Sequence, residues 1–407
     1  MKWMYKLCLT VFLWSFAVTS AFSAGLSEKD LAIVLGTALK PPIRFEKEVG
    51  SEPLFPRAWY SAILEAYKQS SVGNTLAEEN RSEDWQIVSL RVVPCLPMVR
   101  SLNADPATFC WPQLRIVWQP IVHRIRLWGM LFHDFGDDRA VHALYDIAAA
   151  HYLPAPQAAR LIDFKKKINR RIALHSGRPP LIGPDMLEFV RLRNALIKSY
   201  LFDIKGLRDP DLSPDDYLEH GFRPELLILD GDKLRHRLTR FLGDVAKPSA
   251  LNELTSFSLP EGREPALLNE WVFLAFRADE RGGIELSPVS IYHARSGVAV
   301  GQLPAVHRAS QRRDDPSLYE QENNTLRQQV FLYGGEVYDD LKDRILDPNQ
   351  TMIANTSCSS CHRFNTPGFN FHNLSKFNNE PLEVSKRVVN DVTFDMEWLD
   401  RSGILIE

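Results

Sequence analysis

The stretch Trp85-Gln-Ile-Val-Ser-Leu-Arg-Val-Val93 decides the fold class. It is rich in β-branched residues, alternates in part, and reads as a strand. Residues 113–118 and 124–130 read the same way. A second group of strand-like runs covers 270–276, 284–291 and 298–301. Helical spacing surrounds and separates the two groups. Residues 57–68 carry Trp59, Ile63 and Tyr67 at intervals of four, one face of a helix. Residues 138–150, 155–172, 184–204 and 231–245 also read as helices. Strict strand–helix–strand alternation is absent, so the expected architecture over 25–305 is α+β with an antiparallel sheet. No internal repeat is visible. The charged, polar run 307–327, containing Arg312-Arg-Asp-Asp315, marks an expected linker over 306–328.

Composition bounds the rest. Hydrophobic residues at 45% and charged residues at 24% describe a globular chain able to bury a large core. A formal charge of −3 gives no support for bulk nucleic-acid binding. Lys2 and Lys6 precede an apolar run over 7–17, and small residues close it at Ala21-Phe-Ser-Ala24. Charged start, apolar middle and small-residue end form the pattern of a secretory signal peptide over 1–24. Cleavage is expected after Ser23 or Ala24, leaving a net charge of −5. The run falls short of the roughly 20 apolar residues that span a bilayer. An uncleaved anchor is the alternative. No later apolar stretch reaches membrane length, so no integral membrane segment is expected after removal of the leader. Export to the periplasm is the expectation.

Cys8 goes with the leader as an apolar filler. The four remaining cysteines form two close pairs. Cys95 and Cys110 would close a loop of about 15 residues, and a disulfide there is worth roughly 3 kcal/mol in an oxidising compartment. A redox-active or metal-binding pair is the alternative, but neither Cys-x-x-Cys spacing nor a neighbouring histidine supports it.

The second pair carries chemistry. Residues 357–364 read Ser-Cys358-Ser-Ser-Cys361-His362-Arg-Phe. On a helical turn, positions i and i+3 share a face. Two thiols so placed can each add to one vinyl group of a porphyrin, and the next imidazole can then reach the iron. Cys-x-x-Cys-His is the c-type haem attachment signature. On Cys358, Cys361 and His362 the chain resembles the c-type cytochromes, over its C-terminal segment only. The resemblance implies one covalent haem c, attached after export by a cytochrome maturation machinery, and a small all-α cytochrome c-like segment over 329–407. A bare disulfide, a thioredoxin-like redox pair and a zinc site with His372 are the rival readings of the same residues. The thioredoxin-like setting needs a preceding buried strand, and residues 346–356 do not read as one. The flanks fit a haem segment. Residues 336–346 place Val337, Leu341 and Ile345 at helical spacing, ended by Pro348. Residues 384–399 do the same with Val384, Val388, Val392 and Leu399. These look like the two helices that cross in small cytochromes c; both could equally be core helices of a larger domain.

The family often takes its sixth iron ligand from a methionine in the loop before the last helix. None occurs there. His372, in the loop, is the favoured candidate and would give bis-histidine iron. Met396 sits within the final helix, an unusual place for a ligand. Met352, His293, His307 or an open position complete the set. Arg363 and Lys376 could neutralise propionates, although charged loop residues are mostly solvated. The expected role is electron transfer to an unidentified redox partner. A haem-dependent oxidoreductase or peroxidase-like enzyme is the alternative, weakened by a single haem where such enzymes usually carry two. A haem-based ligand or redox sensor is the third reading.

Other features invite function less strongly. His133, Asp134, Asp137, Asp138 and His142 crowd together as metal-ligand types; the plainer expectation is that the aspartates cap a following helix. Residues 165–171 and 235–240 are basic helical stretches that could meet an anionic partner, or simply be solvated. No Gly-x-Gly-x-x-Gly, phosphate loop or nucleophile elbow is present.

Overall fold

The computed structural model of the chain describes residues 25–35, 39, 41–49, 52–69, 82–98, 108–124, 133–136, 140–173, 181–209, 231–258, 272–278, 283–286, 290–292, 299–302 and 386–404. The run 85–93 is a strand and extends further, as β4 (Trp85–Pro97). It pairs antiparallel with β5 (Cys110–Arg124), which contains the expected strand at 113–118. Before them come α1 (Glu28–Leu31), β1 (Ala32–Val34), β2 (Glu48–Val49), β3 (Glu52–Pro53) and α2 (Arg57–Gln69). After them come β6 (His133–Gly136) and β7 (Ala140–Asp146), then α3 (Ala149–Tyr152), α4 (Ala155–Ala173), α5 (Gly183–Lys205) and α6 (Gly231–Val245). The later elements are β8 (Leu251–Ser258), β9 (Val272–Ala278), β10 (Ile284–Leu286), β11 (Ser290–Tyr292), β12 (Ala299–Gln302) and α7 (Lys386–Arg401).

The main sheet runs β1-β4-β5-β7-β8-β9-β10, with β6 paired to β5, and its pairs are antiparallel. The architecture is α+β, as expected. The first strand group joins β9 and β10 of the second in one sheet because β7 pairs with β8 across the intervening helices, with Val141 opposite Ser256, while β11 and β12 pair with each other in a separate two-stranded sheet. Helices expected at 57–68, 155–172, 184–204 and 231–245 are present as α2, α4, α5 and α6. The expected run at 284–291 divides between β10 and β11. Beyond Arg124, the expected strand 124–130 lies outside the described residues.

One expectation is overturned. Residues 138–150 were expected to be helical, yet Ala140–Asp146 is β7 and only Ala149–Tyr152 is a helix. The strand is held between β5 and β8, and it is buried along nearly its whole length. A strand covered on both faces loses the polar/apolar alternation that marks a half-buried one. Its alanines then suit a helix by propensity alone, and tertiary pairing wins. Asp134 lies within β6, and Asp137 and Asp138 lie outside the described residues. Residues 251–258, read as neither element, form β8.

One face of the sheet carries the apolar core. Leu90, Val92, Leu114, Ile116, Ala143 and Tyr145 face it in register, because directly opposed residues share a face. Phe45 stacks on Phe55 at 4.3 Å and on Trp85 at 5.1 Å between ring centres, and Trp118 tilts against it at 4.8 Å. Such aromatic pairs add about 0.5–1.5 kcal/mol each beyond their buried area. Helices α4 and α5 meet through Phe164 and Phe189, and α5 meets α6 through Tyr200 and Phe241. Cys95 and Cys110 form the expected disulfide, Cα atoms 4.9 Å apart, where an irregularity between Val93 and Leu96 takes Cys95 off the strand ladder.

Candidate functional site

Cys358, Cys361, His362 and His372 lie outside the described residues. So do the leader expected at 1–24, the linker expected at 306–328, the helix expected at 336–346, and Met352, His293, His307, Arg363 and Lys376. The donor set fits covalent haem by its chemistry. Two thiols three residues apart would hold the group through thioethers, and the imidazole beside the second would be an iron ligand. Of the named ligand candidates the structure places Met396, on the helix that follows the motif.

That helix, α7, was expected over 384–399 and runs from Lys386 to Arg401. It packs on the sheet domain. Val392, Trp398, Leu399 and Ile404 are buried in the same apolar core as Trp118 and Leu114. Met396 is partly buried against that core. The helix ends in a Schellman turn: Gly403 N–H donates to the Asp400 carbonyl at 2.9 Å and Ile404 N–H to the Leu399 carbonyl at 3.0 Å. Gly403 supplies the required left-handed conformation at φ +64°, and Leu399 and Ile404 form the apolar contact that accompanies such a turn.

Polar contacts hold the helix in register. Arg91 Nη2 on β4 donates to Asp395 Oδ2 at 2.5 Å, and both side chains are about nine-tenths buried. Arg91 Nη1 is also buried and has no hydrogen-bond partner among the described residues. Thr393 Oγ1 donates to Glu28 Oε1 of α1 at 2.8 Å, and Arg387 Nε to Asp391 Oδ1 at 2.7 Å. Helix α1 is fixed in turn by Arg208, whose Nε donates to Asp30 Oδ1 at 2.7 Å and whose Nη2 also bonds Asp30 Oδ2.

Register explains why an arginine meets α7 here. Arg91 lies opposite Arg115, Arg115 opposite Leu144, Leu144 opposite Glu253, and Glu253 opposite Arg277. The row lies on the sheet face away from the Leu90–Leu114–Tyr145 core, so that face sets Arg91, Arg115, Glu253 and Arg277 around the buried Leu144. Burial pushes the Asp395 carboxyl up to about 7, Arg91 pulls it down, Asp391 raises it, and Arg115 pulls it down. A carboxyl raised in the folded state favours the protonated form. Its stabilising contribution is full below about pH 4 and is lost as pH rises through about 7. We expect stability to fall by on the order of 1 kcal/mol per pH unit across that window. Urea unfolding at pH 5 and pH 8 measures it, and Asp395→Asn should flatten the slope by one proton. An unchanged slope in that variant would assign the pH dependence elsewhere.

The remaining sequence candidates separate. His133 and Asp134 are on β6, and His142 is on β7 between Val117 and Thr255; Asp137 and Asp138 lie outside the described residues. Among the described residues no three His, Cys, Asp or Glu side chains gather as a metal site. The basic stretch 165–171 is in part structural. Lys165 bonds Asp146 Oδ2 and lies 4.2 Å from the Trp111 ring centre, and Lys167 pairs with Asp163 at 3.0 Å. In the second stretch Arg237 pairs with Asp209 at 3.5 Å. Among the described residues no helix is long and apolar enough to cross a membrane. The Arg91–Asp395 pair had no signal in the sequence, because its partners stand 304 residues apart. No family model matches the chain, and neither a curated protein nor a solved structure matches it.

Proposed function

We propose that the chain is an exported c-type cytochrome that carries one haem on Cys358 and Cys361, with His362 as an iron ligand, and transfers electrons in the periplasm. The observation that carries this reading is the coincidence of Cys358-Ser-Ser-Cys361-His362 with a signal-like leader on one chain. Either alone is common; together they match the one route by which such haem is attached. The Cys95–Cys110 disulfide supports the compartment, since disulfides persist where export leads. The haem, when bound, supplies a one-electron couple whose potential depends on its axial ligands. His372 is the proposed second ligand. The maturation machinery and a redox partner are the proposed partners, and the α+β domain would position the haem segment through α7.

A second reading, a haem-dependent oxidoreductase, rests on one observation: no methionine lies between His362 and α7, so an open iron position is compatible with the sequence. One experiment separates the readings. The protein is exported from cells that also express a cytochrome maturation system. Its spectrum is recorded before and after dithionite and carbon monoxide, with a haem stain of the denatured chain. Covalent haem with sharp reduced bands and no carbon monoxide response supports electron transfer. Ready carbon monoxide binding supports catalysis at an open iron. No haem overturns the proposal. His372→Ala should convert a low-spin spectrum to a high-spin one; an unchanged spectrum removes His372 as ligand.

A further inference from the structure

The Cys95–Cys110 disulfide has a cation built against one of its sulfurs. Arg193, on α5 and 2% exposed, donates from Nη1 to Cys110 Sγ at 3.2 Å and to the Thr108 carbonyl at 2.7 Å. Its Nε and Nη2 donate to Asn194 Oδ1 at 3.1 and 2.8 Å, which holds the guanidinium plane in place. The same guanidinium lies 5.4 Å from the Trp398 ring on α7 and 5.9 Å from the Phe189 ring. The two sulfurs differ in access. Cys110 is fully buried, whereas Cys95 sits at the strand irregularity and is only partly buried. A cation beside a sulfur favours its thiolate, and a thiolate that is better stabilised is a better leaving group in disulfide exchange.

We propose that Cys95–Cys110 is a redox-active disulfide that accepts two electrons from a dithiol reductant, with Arg193 holding the thiolate released on Cys110. A thiolate of the dithiol attacks Cys95 Sγ; the Cys95–Cys110 bond breaks, and its electron pair leaves with Cys110 Sγ, facing Arg193. The second thiol of the reductant gives up its proton and attacks the mixed disulfide. Cys95 leaves and takes one proton, the reductant ends as a disulfide, and one further proton goes to solvent because Cys110 stays ionised. The step needs no haem, so its failure and that of the cytochrome reading are separate results.

The test uses the full-length exported protein, without denaturant, equilibrated in mixtures of reduced and oxidised dithiothreitol. Free thiols are alkylated, and Cys95 and Cys110 are read by peptide mass. We expect reduction of the folded chain. We also expect Arg193→Met to move the equilibrium about tenfold toward the disulfide, a change of about 30 mV. Arg193→Lys should restore much of the shift. A wild-type disulfide that resists a large excess of dithiothreitol while folded would overturn the proposal, as would an Arg193→Met variant with an unchanged equilibrium. Should Arg193→Met not fold, Cys95→Ser leaves the Cys110 thiol beside an intact Arg193. Its thiolate absorbance should then titrate below the ordinary value of about 8.5. Titration at or above that value overturns the proposal as well.

Discussion

Cys358→Ala combined with Cys361→Ala gives an exported protein with no covalent haem and an unfolding transition still present. The first half follows from the proposed attachment, since with neither thiol no thioether can form. The expected change on a haem-stained gel is complete loss, where a change at an axial ligand would alter only the spectrum. The second half follows from the packing. The described core is drawn from residues 26–276 and from α7 with the turn after it. Near-ultraviolet circular dichroism of the variant should keep the signal of the Phe45, Trp85 and Trp118 cluster. Covalent haem in the doubly substituted chain would refute the attachment; loss of the aromatic signal would show that haem is needed to fold the sheet domain.

Arg91→Met at pH 8 should cost about 3–5 kcal/mol, because it leaves Asp395 as a buried charge without its partner. The loss should be smaller at pH 5, where Asp395, raised to about 7, is already protonated. Arg91→Met together with Asp395→Leu should recover most of the loss, because two apolar side chains of similar volume need no solvation. Arg91 has the more to gain from that exchange, as its Nη1 is buried without a hydrogen-bond partner among the described residues. A double-mutant cycle by urea unfolding reads the coupling. Amide exchange over 386–401 locates it, since α7 should open first in the single variant. Strict additivity would mean that α7 is held by Val392, Trp398 and Leu399 alone.

Helices α2, α4, α5 and α6 were legible because each is long enough to show an apolar stripe, and β4 because β-branched residues cluster in it. Local pattern failed at β7. A strand buried on both faces carries no alternation, and nothing within 140–146 records that β5 and β8 will flank it. It also missed the polar contacts of the site. Arg91, Asp395, Arg193 and Cys110 are ordinary residues in the sequence, and only register and docking turn them into a buried ion pair and a cation on a sulfur.

The final helix shows the same division. Its periodicity was plain, and two destinations were open to it, a crossing pair within a small haem segment or the core of a larger domain. The structure packs it on the sheet domain through Leu399, Trp398 and Asp395. The sequence by itself determined the Cys358–Cys361–His362 spacing on which the proposed haem attachment rests, the leader-like start, the helices α2, α4, α5 and α6, and the α+β class, because each depends on residues within one turn or one stripe. Tertiary structure alone decided the strand order, the conversion of 140–146 from helix to strand, the place of Arg193 against Cys110, and the seat of α7. Those depend on residues tens to hundreds of positions apart, whose contact energies exist only once the chain has folded.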